Sequence, residues 1–132
     1  MGGGKVTGSA RIIAGIGCRR GCPGEEIAAL VRQAAILSGC EPTALAAPDF
    51  KSNEPGLHDA AGRLRLDLLL VSATELAASQ PRCVTRSARA AAATGAGSVA
   101  EGSALAAAGP LSRLALARIA SARATCAIAI SA

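Results

Sequence analysis

The chain has 132 residues, of which 51% are hydrophobic, 17% charged and 1% aromatic, and its formal net charge is +5. That length and apolar content suit one folded domain and exclude a disordered chain. Phe50 is the only aromatic residue, which excludes a base-stacking platform for single-stranded nucleic acid, and no apolar run is long enough to span a membrane.

Residues 1–9 are Gly-rich and polar and read as a flexible tail, leaving 10–132 as the expected domain. The tail lacks the apolar stretch of an export signal, so a cytoplasmic chain with reduced thiols is expected. Arg11–Ile16 is apolar and bounded by glycines, as a short buried strand is. The glycine-punctuated stretch Gly15–Gly21 is expected to be a loop. Pro23 then suits the first turn of a helix, with Glu25 and Glu26 at its positive end. Ile27, Leu30, Val31, Ala34 and Leu37 recur at helical spacing, and Gly39 stops the helix.

Leu45–Ala47 reads as a strand and 49–53 as a polar loop. Asn53 or Glu54 caps a helix from Pro55 to about Ala61. Leu66–Val71 is a continuous apolar run, which predicts a central strand buried on both faces. Ser72-Ala73-Thr74-Glu75 has the spacing of a capping box, and its helix stops before Pro81. Residues 82–97 carry no clear pattern. Ser98-Val99-Ala100-Glu101 is a second capping box, opening a helix that ends at Gly109-Pro110. Leu116–Ala120 and Ala124–Ile130 read as two strands. Alternating strands and helices predict a single-domain three-layer α/β/α fold with a mostly parallel or mixed central sheet.

In such folds ligands bind beyond the carboxyl ends of the strands, where first-turn N–H groups lack partners and the helix dipole favours anions. Helix starts near Pro23, Ser72 and Ser98 are candidates for that edge. The Gly15–Gly21 segment is neither a dinucleotide fingerprint, since its third glycine comes one residue late, nor a P-loop, since no G-K-[ST] is present. It reads as a turn that lets backbone approach an anion, with Arg19 and Arg20 beside it. A tight turn with two solvated arginines is the plainer alternative. Cys18 lies next to those cations, which favour a thiolate, yet the sole His58 falls on an expected surface helix and offers no partner base. A small packed residue is the plainer reading of Cys18, and packing accounts for Cys22, Cys40, Cys83 and Cys126. Lys51 and Glu54 flank the polar loop and suit substrate orientation or acid–base work, or form a surface ion pair of little value. Capping accounts for Ser98 and Glu101. The Gly97, Ser98 and Val99 turn would contribute backbone donors only. With one His and no CxxC pair, no metal site is expected, and no cofactor. The basic residues are spread without a run, so a small polycarboxylate fits the charge and no nucleic-acid or membrane partner is expected.

Four segments together, GIGCRRGCPGEEI at 15–27, DFKSNEPGL at 49–57, GSVAEGSALAAAG at 97–109 and RATCAIA at 123–129, resemble the cobalamin-biosynthesis family that includes CobE and the C-terminal domain of CbiG. The resemblance covers nearly the whole chain beyond the tail. The family pattern KADE-x-GL departs here at Asn53, which removes one carboxylate. The resemblance implies a role in corrin-ring assembly and a precorrin-type tetrapyrrole as partner, with other cobalamin-pathway enzymes as further partners. Precorrins carry many carboxylates, in keeping with the basic, Arg-using reading. Three functions are then open. The first is a precorrin-binding protein using Gly15, Gly17, Cys18, Arg19, Arg20, Gly21, Lys51, Glu54, Gly97, Ser98 and Val99. The second is a CbiG-like hydrolase that opens a cobalt-precorrin lactone with release of acetaldehyde, with Lys51, Glu54 or Cys18 as catalytic groups. The third is a scaffold for a precorrin methyltransferase.

Overall fold

Five strands form one sheet, and the segment that begins with Ile12 lies at its centre. The computed structural model describes residues 10–85 and 98–132. In chain order the elements are β1 (Ile12–Cys18), α1 (Gly24–Ser38), β2 (Ala44–Pro48), α2 (Pro55–Leu64), β3 (Asp67–Val71), α3 (Ala73–Ser79), α4 (Val99–Ala108), β4 (Arg113–Ala120) and β5 (Ala124–Ile130). Single 3₁₀ turns follow β2 at Asp49–Lys51 and α3 at Gln80–Arg82. The sheet order is β3-β2-β1-β5-β4. β1, β2 and β3 run parallel, while β5 is antiparallel to both β1 and β4. The three-layer α/β/α expectation with a mixed sheet therefore holds.

Two apolar cores sandwich the sheet. On one face Ile27, Leu30 and Val31 of α1 and Leu57 and Ala60 of α2 pack on Ala14, Ile16, Cys126 and Ile128. On the other, Leu76 of α3 and Ala104, Leu105 and Ala108 of α4 pack on Ile13, Ala46, Val71 and Ala129. The alternation in each strand supplies both faces. In β5, Ala127 and Ala129 are as buried as Cys126 and Ile128, so small residues complete its second face.

Three sequence expectations change. Gly15 lies within the strand expected there, and that strand runs on through Gly17 and Cys18, which were expected as loop: Gly15, Gly17 and Cys18 pair across the antiparallel ladder with Ala127, Thr125 and Ala124 respectively. The glycines are there for packing. A Cβ on Gly15 would collide with the Ala100 carbonyl and lie 2.6 Å from the Ala104 nitrogen, because α4 rests directly on β1. Second, the apolar run ending at Val71 is, among the described residues, an edge strand paired only with β2, with Leu70 45% exposed. An unbroken run of leucines does not distinguish an edge from a centre. Third, only one of the two capping boxes closes. Ser72 and Glu75 exchange both bonds. Ser98 accepts from the Glu101 N–H, but its own N–H goes to the Gln80 side chain at 3.3 Å.

Glu101 is thereby freed for another task. Fully buried, it accepts from the Val84 N–H (2.9 Å), the Thr85 N–H (2.9 Å) and the Thr85 hydroxyl (2.6 Å), and from the Arg118 N–H (2.9 Å). Arg118 lies where the β4–β5 register is irregular, so the carboxylate satisfies a ladder donor that the irregularity releases. Burial pushes the Glu101 carboxyl up, but the Arg118, Thr85 and Val84 donors outweigh it and hold the group below its ordinary value.

Gly15→Ala should lower stability by about 1–3 kcal/mol in urea unfolding, because helix backbone cannot move aside. Gly62→Ala, in α2 with open space around it, should be neutral or raise stability by about 0.5–1 kcal/mol. A depressed folded pKa means that Glu101 contributes fully above its unfolded value of 4.5 and loses that contribution as pH falls through the folded value. Glu101→Gln should therefore be less stable at neutral pH and show a shallower loss of stability on acidification, as measured by urea midpoints across pH 7 to 3.

Candidate functional site

The three parallel strands end at one edge, and each hands the chain to a helix N-terminus. Because β5 runs the other way, its start lies at the same edge, with Ala124 beside Cys18 and Thr125 beside Gly17. α1 and α2 cover one face and α3 and α4 the other, so chain connectivity reverses between β1 and β5. A crevice for ligands is expected at such a reversal.

On the α1 face, β1 leaves through the turn Arg19–Cys22, closed by the Cys22 N–H to the Arg19 carbonyl at 3.1 Å. Gly21, the third residue of this turn, has φ of 79°, a conformation open to glycine at no steric cost. Arg19 and Arg20 are exposed and have no ion-pair partner among the described residues. β2 leaves through the 3₁₀ turn carrying Lys51, which is half-buried. The two exits are joined: Glu54 Oε2 accepts from the Gly21 N–H at 2.8 Å, and Glu54 is buried. Glu54 is the N-cap residue of α2, yet its side chain makes no cap and spans to the neighbouring loop.

Cys18 sits within the fields of both Lys51 and Glu54. Burial pushes its thiol up to about 11, against the pull of the Lys51 ammonium and with the push of the Glu54 carboxylate. The sequence reading of a thiolate favoured by neighbouring arginines is corrected here: desolvation at the sheet edge wins, and the sulfur is a thiol at neutral pH.

On the α4 face, Gly17 lies near Val99, whose Cβ would be 3.7 Å from a Gly17 Cβ. The Thr125 Oγ1 occupies the space of that missing side chain, 2.6 Å from where the Cβ would be, and donates a long 3.4 Å bond to the Gly17 carbonyl. Ser98 caps α4 beside it. Of the residues read from sequence, the structure thus brings Cys18, Arg19, Arg20, Gly21, Lys51 and Glu54 together on one side of the end of β1, and Gly17, Ser98 and Val99 on the other. Gly15 lies deeper, beneath α4, where the Ala100 carbonyl and the Ala104 nitrogen fill the place of a side chain. Gly97 lies outside the described residues. Among the described residues no group of His, Cys, Asp and Glu has the arrangement of a metal site, and no helix is long and apolar enough to cross a membrane.

Sequence reasoning missed three contributors. Thr125 is the one hydroxyl in the otherwise apolar β5, and that isolation was its signal. Arg123 was not singled out; its Nε donates to Glu26 Oε1 at 2.8 Å, and its N–H reaches Glu26 Oε2 at 2.8 Å, joined by the Ser121 hydroxyl. The Ser121 hydroxyl, then the Arg123 N–H and guanidinium, hold the Glu26 carboxyl below its ordinary value. This pair consumes one rim cation, and nothing local in the sequence marks it. His58, read as simply solvent-facing, is exposed but also bonds the Ser52 carbonyl through Nε2 at 2.6 Å.

Comparison with known proteins gives a consistent result. Residues 12–129 match the family model described as cobalamin synthesis G C-terminus. A protein CobE from Sinorhizobium sp is 36% identical over 123 residues, covering 91% of this chain and 80% of that protein. The crystal structure of CobE, a protein from the cobalamin (vitamin B12) biosynthetic pathway, superposes with a TM-score of 0.86 at 36% identity, covering 94% of this chain and 92% of that one. Cobalamin biosynthesis protein chiG from Agrobacterium tumefaciens str. C58 gives a TM-score of 0.75 at 37% identity, with 92% and 98% covered. The fold, the match over nearly every described element and the identity to CobE agree: the chain belongs to the CobE/CbiG C-terminal family of cobalamin-biosynthesis proteins.

Proposed function

We propose that this protein binds a polycarboxylated precorrin-type tetrapyrrole at the carboxyl edge of its sheet. The observation that carries the reading is the Glu54–Gly21 bond. It fastens the loop of Arg19 and Arg20 to the loop of Lys51, so three cations without ion-pair partners among the described residues share one rim. Guanidinium groups suit bidentate recognition of carboxylates. With no aromatic at this rim other than exposed Phe50, the macrocycle is held by its carboxylate periphery and by aliphatic contacts. Membership of a cobalamin-biosynthesis family supplies a ligand class with many such carboxylates.

Binding without catalysis fits the chemistry better than lactone hydrolysis. The Glu54 carboxylate is buried and engaged by a backbone N–H, and the Cys18 sulfur is protonated at neutral pH. Neither is disposed to activate water or attack a carbonyl. Release of acetaldehyde from a cobalt-precorrin lactone by the purified protein would overturn this reading.

Uroporphyrin, which bears a carboxylate on every peripheral chain, should bind in calorimetry at low salt and weaken as ionic strength rises. Arg19→Gln with Arg20→Gln should cost about tenfold in affinity, or about 1.4 kcal/mol. Absence of any heat or absorbance change with the wild type would sink the proposal. Separately, Cys18 should alkylate slowly with iodoacetamide at pH 8 and accelerate only as pH approaches 11, and Cys18→Ser should retain binding.

A further inference from the structure

α2 is the hub of the rim. Its N-cap residue Glu54 reaches Gly21 in the first loop. A Cβ on Gly56 would collide with the Cys22 carbonyl, and a Cβ on Gly24 of α1 would collide with the Asp59 carboxylate, so the first turns of α1 and α2 lie in direct contact. The Lys51 loop closes on itself through the Ser52 N–H to Asp49 and the Glu54 N–H to Lys51, both at 3.0 Å. These bonds shape the loop but do not fix where it sits. The bond that fastens its tip to α2 comes from His58, one turn into the helix, whose Nε2 lies 2.6 Å from the Ser52 carbonyl. A carbonyl only accepts, so this nitrogen carries the proton.

Resting on the binding reading above, we propose that His58 is a positioning residue: by latching the Ser52 carbonyl to α2 it holds the Lys51 ammonium at a fixed place on the rim beside Arg19 and Arg20. The two loops then present their cations with the geometry already set, and a polyanion binds without first ordering the 49–54 segment. Both the neutral Nε2–H tautomer and the imidazolium donate this bond, so the latch does not open on protonation of the ring. A glutamine carries an N–H at comparable reach and replaces the donor; an alanine removes it.

The test compares wild type, His58→Ala and His58→Gln. Uroporphyrin titration at low salt should show His58→Ala weakened about fivefold and His58→Gln within about twofold of wild type, in line with the cost of ordering a few residues. Amide hydrogen exchange in the ligand-free proteins provides a second readout. The Ser52 and Glu54 amides should exchange faster in His58→Ala, return toward wild type in His58→Gln, and leave Ala46 in β2 unchanged. Unchanged exchange in His58→Ala, faster exchange without weaker binding, or a glutamine variant as weak as alanine would each overturn the proposal. If the wild type itself fails to bind uroporphyrin, the binding reading falls, while the exchange data still decide whether the latch exists.

Discussion

The approach of α4 to β1 governs this molecule. Helix backbone lies against strand backbone at Gly15, with the Ala100 carbonyl and the Ala104 nitrogen filling the place of a side chain. That contact is open only to glycine, and it brings the first turn of α4 close to Gly17 and the end of β1. Ser98 and Val99 lie beside the end of β1 because the helix is seated so low. The same seating turns Glu101 inward, where a lone carboxylate would be costly, and the four donors it collects convert that cost into a tie between α4, the residues before the 86–97 segment, and β4.

Charge at the rim is arranged by subtraction as much as by placement. Arg123 lies at the same edge but is taken up by Glu26, whose carboxylate also accepts from the Ser121 hydroxyl. Glu54 brings a negative charge to the same edge, where it accepts from the Gly21 N–H and pushes the Cys18 thiol up. Arg19, Arg20 and Lys51 are left without an ion-pair partner among the described residues. A sum of charges along the sequence cannot reveal this, since it counts Arg123 and Glu54 like any other charged residue.

Much of the fold was legible from local signals. Gly39, the Ser72–Glu75 box and the Pro55 start are punctuation whose physics lies within a few residues, and the structure places helix boundaries there. What was not legible depends on contacts distant in sequence. The glycines of β1 look like a phosphate-type loop until β5, more than a hundred residues later, pairs with them. The leucines of β3 give no hint that one side is open, because edge and centre differ only in whether another strand arrives. Glu101 matches a capping box in spacing, but Gln80 had already claimed the Ser98 N–H. Spacing could place Glu54 and Lys51 on one loop but not show that the Glu54 carboxylate ties that loop to Gly21, and the raised pKa of the half-buried Cys18 thiol depends on coverage that spacing does not encode.

The place of β5 has a consequence for how the chain is made. The parallel unit β1-α1-β2-α2-β3 is contiguous in sequence, yet its first strand needs a partner synthesised over a hundred residues later. Until β5 is made, β1 is left with one unpaired flank, and until α4 is made the Gly15 backbone faces no helix. Insertion of β5 between β1 and β4 is the step that joins the two parts of the sheet, because without it β1 keeps one unpaired edge.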